Sequence, residues 1–105
     1  MLSGHPKAPI HVTLSEVTSK SVDLGWKSTS WHRYVLVLYR PIDSHMTIMC
    51  EELFESKGSN RVNVSGLSEY TNYEFYVVFL NDDSCSETSE PLYARTEPPG
   101  TAAVL

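Results

Sequence analysis

The chain has 105 residues, of which 41% are hydrophobic and 20% are charged, and this length and composition suit a single compact domain. Its formal net charge of −5 argues against nucleic acid as a partner, since capture of a phosphate backbone needs a basic patch. The longest apolar runs, 34–39 and 75–80, are far shorter than the ~18 residues of a membrane helix, which argues against direct membrane insertion.

Both ends of the chain carry prolines. A stretch at 5–9 precedes the first apolar segment, and another at 96–100 follows the last one; proline removes a backbone donor and favours extended neighbours, as in linkers. The start of the chain lacks the basic and apolar regions of a signal peptide, so we expect any secretory signal to lie upstream. We predict one domain over 8–98, with 1–7 and 99–105 as linkers or added ends.

Between the two proline-rich stretches, apolar and polar residues mostly alternate. A period of two predicts β-strands, because successive side chains point to opposite faces. Short strands separated by Ser, Asn, Asp, Gly and Pro predict an all-β fold, a sandwich of about seven strands in two antiparallel sheets. The segment after Cys50 is interpreted as an edge strand and its loop. The predicted strands lie within 12–14, 22–26, 35–39, 50–57, 62–64, 73–79 and 89–96.

Four residues are expected at the centre of the core. Trp26 ends the alternating second segment, on its inner face. Leu67 precedes Tyr73 by a short turn, a spacing typical of a tyrosine corner, in which the phenol is buried and its hydroxyl bonds backbone upstream. Phe75 follows Tyr73 on the same strand face. The rest of the predicted core is Leu14, Val17, Val22, Leu24, Val35, Val37, Tyr39, Val62, Val64, Val77 and Phe79.

The order and spacing of these elements resemble the fibronectin type III family. The shared pattern includes Val-x-Leu-x-Trp at 22–26, Gly-Leu followed by Tyr73, and Thr-x-Pro at 96–98. The sequence departs from that pattern at Val35, where the family often has an aromatic residue, and at Tyr70, where it prefers glycine. The resemblance implies a seven-strand sandwich that serves as a noncatalytic module.

Two related folds are disfavoured. An immunoglobulin domain typically joins its second and sixth strands by a disulfide, and here neither strand carries cysteine. A cytokine-receptor module carries Trp-Ser-x-Trp-Ser before its last strand, whereas 85–91 retains only serines and a proline, which we interpret as ordinary turn residues. The loop at 81–84 also lacks the Arg-Gly-Asp tripeptide, which removes one integrin-binding hypothesis.

The two cysteines leave three possibilities open. Cys50 falls in the fourth strand and Cys85 in the loop after the sixth. A disulfide requires Cα atoms within about 7 Å of each other, and the sequence does not give that distance. An internal bridge, two free thiols and a link to another chain are all compatible with the sequence.

No catalytic, metal or cofactor site is expected. Asp82-Asp83 and Glu51-Glu52 are interpreted as solvated charge, with weak cation binding as the alternative. Neither a phosphate-binding loop nor a nucleophile elbow occurs. The histidines lack metal-ligand spacing and are interpreted as surface residues. They are His5, His11, His32 and His45.

One modification signal is present. Asn63-Val64-Ser65 fits the acceptor pattern for N-glycosylation. If Val62 and Val64 point inward, Asn63 points to solvent. A glycan is one interpretation if the protein is secreted; otherwise the tripeptide is a chance occurrence.

The outward positions of the third and sixth strands are unusually apolar. In the fibronectin type III fold these strands are neighbours, so their outward side chains would share one face, whereas a half-solvated sheet normally alternates apolar with polar residues. This surface is a candidate interaction face for a protein partner, for weak self-association or for a neighbouring domain of the same chain. Its residues are Tyr34, Leu36, Leu38, Tyr76, Val78 and Leu80.

The predicted function is that of a noncatalytic protein–protein interaction and spacer module in a multidomain extracellular or receptor-type protein, as in cell adhesion. The alternative is a module of an intracellular scaffold, cytoskeletal or muscle protein. In that case both thiols stay reduced and Asn63 carries no glycan.

Overall fold

The computed structural model describes residues 10–27, 32–42 and 49–100. These residues form seven strands in two antiparallel sheets and no helix, which confirms the predicted sandwich. The strands are β1 (Ile10–Val17), β2 (Val22–Lys27), β3 (Tyr34–Pro41), β4 (Cys50–Glu55), β5 (Arg61–Val64), β6 (Asn72–Leu80) and β7 (Leu92–Arg95).

The sheets contain three and four strands. The strand orders are β1-β2-β5 and β4-β3-β6-β7. The third and sixth strands are therefore neighbours, and they pair from Tyr34 opposite Leu80 to Pro41 opposite Tyr73. β4 lies at an edge, as predicted for the segment after Cys50.

The core lies between the two sheets. Trp26, Leu67, Tyr73 and Phe75 are all buried. Phe79 packs against the edge of Trp26, with 5.8 Å between ring centroids and 61° between ring planes. Full burial of a large apolar side chain such as Phe stabilises the fold by about 1.5–3 kcal/mol. The other buried apolar residues are Val22, Leu24, Val35, Val37, Val64, Val77, Val78 and Ala94.

The prediction that Leu14 is a core residue is wrong, because its side chain is 37% exposed. β1 is an edge strand, and its register with β2 shifts on both sides of Leu14. His11 there has φ of 54°. Val12 and Val17 both pack against the core, although strict alternation would put them on opposite faces. Such bulges interrupt the period of two on which the prediction rested.

The turn before β6 contains the tyrosine corner. The backbone N–H of Ser68 donates to the hydroxyl of Tyr73 at 2.8 Å. Tyr70, the residue where the resemblance leads one to expect glycine, has φ of 47°. The Arg95 guanidinium lies over the Tyr70 ring at 4.9 Å and donates to its hydroxyl at 3.3 Å. A left-handed non-glycine residue costs on the order of 1 kcal/mol, and these contacts offset part of that cost.

The interpretation of the serines after β6 as ordinary turn residues is wrong. The hydroxyl of Ser86 accepts the N–H of Phe79 at 2.9 Å, and its own N–H donates to the Phe79 carbonyl at 2.9 Å. Ser89 makes the same two bonds with Val77, both at 2.9 Å. Both serines are buried. They therefore supply the hydrogen-bond partners of the N–H and C=O groups of Val77 and Phe79 on the side of β6 where no regular strand pairs with it.

Candidate functional site

The structure brings the six residues of the candidate interaction face together. On paired strands, residues directly opposite each other lie on the same side of the sheet. The three cross-strand pairs are Tyr34 with Leu80, Leu36 with Val78 and Leu38 with Tyr76. They lie on the side of the four-stranded sheet that faces away from the core, which we call the outer face.

Leu53 on β4 extends the outer face, and the sequence did not reveal it. Leu53 lies opposite Leu36 and is 55% exposed. A row of three aliphatic side chains, Leu53, Leu36 and Val78, thus crosses β4, β3 and β6. The missing signal was the register of β4 against β3, which a short edge strand rich in glutamate does not give from its own sequence.

Exposure is uneven along this row. Val78 points to the outer face, as predicted, yet it is only 6% exposed, so its side chain is not open to solvent. β6 is an inner strand, with β3 on one side and the segment from Ser86 to Ser89 bonded to its other side. Leu36 is half-buried. Leu53 and Leu36 therefore form the part of the row that a partner could contact.

The β4 side of the outer face is acidic. Glu51 lies opposite Leu38 and Glu55 opposite Tyr34, so the two carboxylates flank Leu53 on the same side of the strand. Both are exposed, and Glu55 forms an ion pair with the Lys57 ammonium, with 3.5 Å between Oε1 and Nζ. The exposed apolar side chain therefore lies between two solvent-facing carboxylates.

The outer face ends in a polar cluster around Glu74. This buried carboxylate accepts from Arg40 Nε at 2.9 Å, from the Tyr76 hydroxyl at 2.9 Å and from the Tyr93 hydroxyl at 3.4 Å. The Tyr76 hydrogen bond, assisted by Arg40 and opposed by burial, lowers the pKa of Glu74. The same bond raises the pKa of Tyr76. Glu74 is therefore ionised and paired at neutral pH, and it limits the apolar area at this end of the face.

The prediction that His32 is a surface residue is wrong. Its buried ring stacks on Phe79, with 3.7 Å between centroids and 4° between planes. His11 is exposed, whereas His5 and His45 lie outside the described residues. Across the described ranges, no group of three or more His, Cys, Asp or Glu side chains could hold a metal ion.

The remaining predicted features lie away from the outer face. Asn63 is exposed on β5, and its Nδ2 donates to Asp23 Oδ1 at 2.6 Å. Cys50 and Cys85 are both free and exposed. Within the described ranges there is no helix that is long and apolar enough to cross a membrane.

Comparison with known proteins gives three consistent matches. The Fibronectin type III domain model matches residues 6–95. Receptor-type tyrosine-protein phosphatase F of Danio rerio is 32% identical over 93 residues, which cover 87% of this chain and 5% of that protein. Tyrosine-protein phosphatase Lar of Drosophila melanogaster is 34% identical over 95 residues, which cover 87% of this chain and 4% of that protein.

A solved structure agrees with the sequence matches. The crystal structure of the FN5 domain of Drosophila Lar superposes with a TM-score of 0.73 at 19% identity, covering 88% of this chain and 97% of that domain. This chain therefore spans only 4–5% of the length of the two phosphatases that it matches.

Proposed function

The chain belongs to the fibronectin type III family, and from that membership we propose that it is a noncatalytic protein–protein interaction and spacer module of a multidomain extracellular or receptor-type protein. The receptor-type setting is supported by the phosphatases that share its sequence over one module-sized segment. Since that segment is 4–5% of each relative, the phosphatase activity of those proteins is not carried over.

The observation that carries the proposed binding role is the exposed apolar row on the outer face. Leu53 is 55% exposed and lies beside half-buried Leu36. Contiguous apolar surface that a monomer leaves in water often marks an interaction site. We propose that a protein partner docks there through its own apolar side chains.

The acidic flanks indicate the chemistry of that partner. Basic groups placed beside an apolar strip would complement Glu51 and Glu55. A second copy aligned antiparallel along β4, with Leu53 opposite Leu53, would instead set Glu51 against Glu55, and like charges directly opposite are destabilising. The outer face therefore favours a different protein, one with basic side chains beside an apolar strip, over a second copy of this chain.

The spacer role is supported by the positions of the first and last strands. Glu97, just after β7, donates its N–H to the Thr18 carbonyl at 3.0 Å. Thr18 lies just beyond the last residue of β1, and the first residue of β1 is Ile10, about 25 Å away along the strand. The first strand therefore begins, and the last strand ends, at opposite ends of the sandwich. Neighbouring modules attached at these points would be held apart by the length of the sandwich.

We propose 8–98 as the folded unit. Thr96 is 1% exposed; its hydroxyl accepts the N–H of Thr71 at 2.9 Å and donates to the Ser68 carbonyl at 2.7 Å. These bonds lie one residue beyond the end of the family match at 95. A boundary at 98 keeps them.

The docking proposal is tested by placing a charge in the apolar row. We expect Leu53→Lys, alone or with Leu36→Lys, to abolish partner capture in a pull-down, because burial of an unpaired ammonium is costly. Thr13→Lys is the matched control, since Thr13 is exposed on the other sheet. Denaturant melts must show Leu53→Lys folded. Unchanged capture by folded Leu53→Lys would refute the docking site, and altered light scattering alone would assign the face to self-association.

A second candidate function is a module of an intracellular scaffold, cytoskeletal or muscle protein. Two free, exposed thiols favour it, because disulfides form and persist in oxidising compartments. The sequence on either side of the chain separates the candidates. A signal peptide with a membrane span would support the first, and an array of intracellular modules the second.

A further inference from the structure

We propose that Asn63 is an N-glycan attachment site and that the glycan covers the outward side of the three-stranded sheet, leaving the outer face of the other sheet free for binding. This inference rests on the proposed extracellular setting. It assigns the two solvent-facing sides of the sandwich different roles.

The first support is the placement of the acceptor tripeptide. Of the four asparagines in the chain, only Asn63 is followed by Ser or Thr two positions later. Val64 is buried, whereas Asn63 and Ser65 are exposed. Ser65 directly follows the last residue of β5, and both the amide and the hydroxyl that the acceptor needs are therefore open to solvent.

The second support is the room around Asn63. β5 is an edge strand of four residues, so a paired strand flanks Asn63 on one side only. Across the sheet from Asn63 lie the polar residues Asp23 and then Glu16. Gly25, which has no side chain, lies two residues along β2 from Asp23, opposite Arg61. No bulky apolar residue would be displaced by a sugar there.

The third support is the bonding of the amide. Asn63 Nδ2 carries two hydrogens, and one of them donates to Asp23 Oδ1 at 2.6 Å. Glycosylation replaces one hydrogen only. The attached form therefore retains an N–H that can bond Asp23, whose carboxylate also accepts from Arg61 at 3.5 Å.

Glycosylation would transfer one oligosaccharide to Asn63 Nδ2. The donor is an oligosaccharide linked through a diphosphate to a lipid, supplied by the secretory pathway. A bond forms between Asn63 Nδ2 and the anomeric carbon of the first sugar, while the bond from that carbon to the diphosphate oxygen breaks. The lipid diphosphate leaves with the electron pair, and Nδ2 loses one proton.

The test is secretion of the chain from mammalian cells behind an added signal peptide, with intact mass measured before and after peptide N-glycosidase. We expect most of the wild-type chain to carry one glycan, and enzyme treatment to remove it and convert Asn63 to Asp. Ser65→Ala, which leaves Asn63 and its bond to Asp23 in place, should abolish the modification. Ser65→Thr should retain it.

Secreted and cell-retained protein are both measured. Wild-type and Ser65→Thr chains that enter the secretory pathway and stay unmodified would overturn the inference. The binding arm is separate: glycosylated wild type should capture the partner as well as Ser65→Ala does, whereas Leu53→Lys should fail in either form. An unoccupied Asn63 with intact capture would refute the glycan alone, and an occupied Asn63 with capture unaffected by Leu53→Lys would refute only the docking face.

Discussion

Tyr73 combines two roles in one side chain. Its ring is buried beside Phe75, with 6.0 Å between centroids, and its hydroxyl anchors Ser68 at 2.8 Å. The ring therefore stabilises the core while the hydroxyl fixes the turn that leads into β6.

We expect Tyr73→Phe to lower the free energy of unfolding by about 1–2 kcal/mol, because it removes one buried acceptor and keeps the ring. Tyr34→Phe is the matched control, since the Tyr34 hydroxyl makes no hydrogen bond within the described ranges. Denaturant melts of the three proteins provide the measurement. Equal midpoints for Tyr73→Phe and wild type would mean that the corner hydrogen bond contributes nothing.

At the residue scale, burial could be predicted from the sequence where it depends only on alternation within one strand. Spacing alone identified Trp26 and Tyr73, since both sit in regular alternation. It missed the burial of Glu74 because the three groups that bond this carboxylate lie 34, 2 and 19 residues away in the chain. The register of β3 against β6 sets Arg40 opposite Glu74. The pairing of the two strands is therefore needed to see that an arginine balances the charge of the buried carboxylate.

At the scale of elements, β6 is hydrogen-bonded in different ways along its two edges. On one side β3 pairs with it in regular register. On the other side β7 pairs only with its first residues, from Asn72 to Phe75. Beyond Phe75, Ser89 and Ser86 take over by bonding the backbone of Val77 and Phe79.

We expect Ser86→Ala and Ser89→Ala each to lower the free energy of unfolding by about 1–3 kcal/mol, because each leaves a buried β6 N–H without its acceptor. Thr88→Ala is the control, since Thr88 is exposed between the two serines. Thermal and denaturant melts would measure the effect. A loss no larger than that of Thr88→Ala would show that water replaces the hydroxyls without cost.

Element prediction succeeded where alternation is uninterrupted, as in β2 and β6. It failed in β1, where bulges shift which side chains face inward, and in 85–91, where side-chain hydroxyls replace strand pairing. Both failures have one physical origin. The pattern of apolar residues reports burial, and it does not report which groups satisfy the backbone hydrogen bonds.

At the scale of the whole molecule, the two thiols lie too far apart to pair. Cys50 lies opposite Tyr39, and Cys85 bridges to Leu80, which lies opposite Tyr34. These positions are separated by about 17 Å along the strands and about 14 Å across three strand spacings. The alternative of an internal disulfide, which requires Cα atoms within about 7 Å, is thereby removed.

We expect both cysteines of the purified domain to alkylate without prior reduction, because both are exposed. Intact mass after iodoacetamide treatment measures the number of labels, and Cys50→Ser and Cys85→Ser provide single-label controls. A folded monomer that takes labels only after reduction would contradict this geometry. Labelling blocked only in a covalent dimer would instead indicate a bridge between chains.

The opposite positions of Ile10 and Glu97 have a mechanical consequence. If neighbouring modules pull on the chain, tension acts at Ile10 and after β7, along the strand axes rather than across them. Antiparallel ladder bonds run perpendicular to the strands, so the pairings of β1 with β2 and of β7 with β6 would be loaded in shear. Many bonds would then have to rupture together, and the module would resist extension until it yields abruptly.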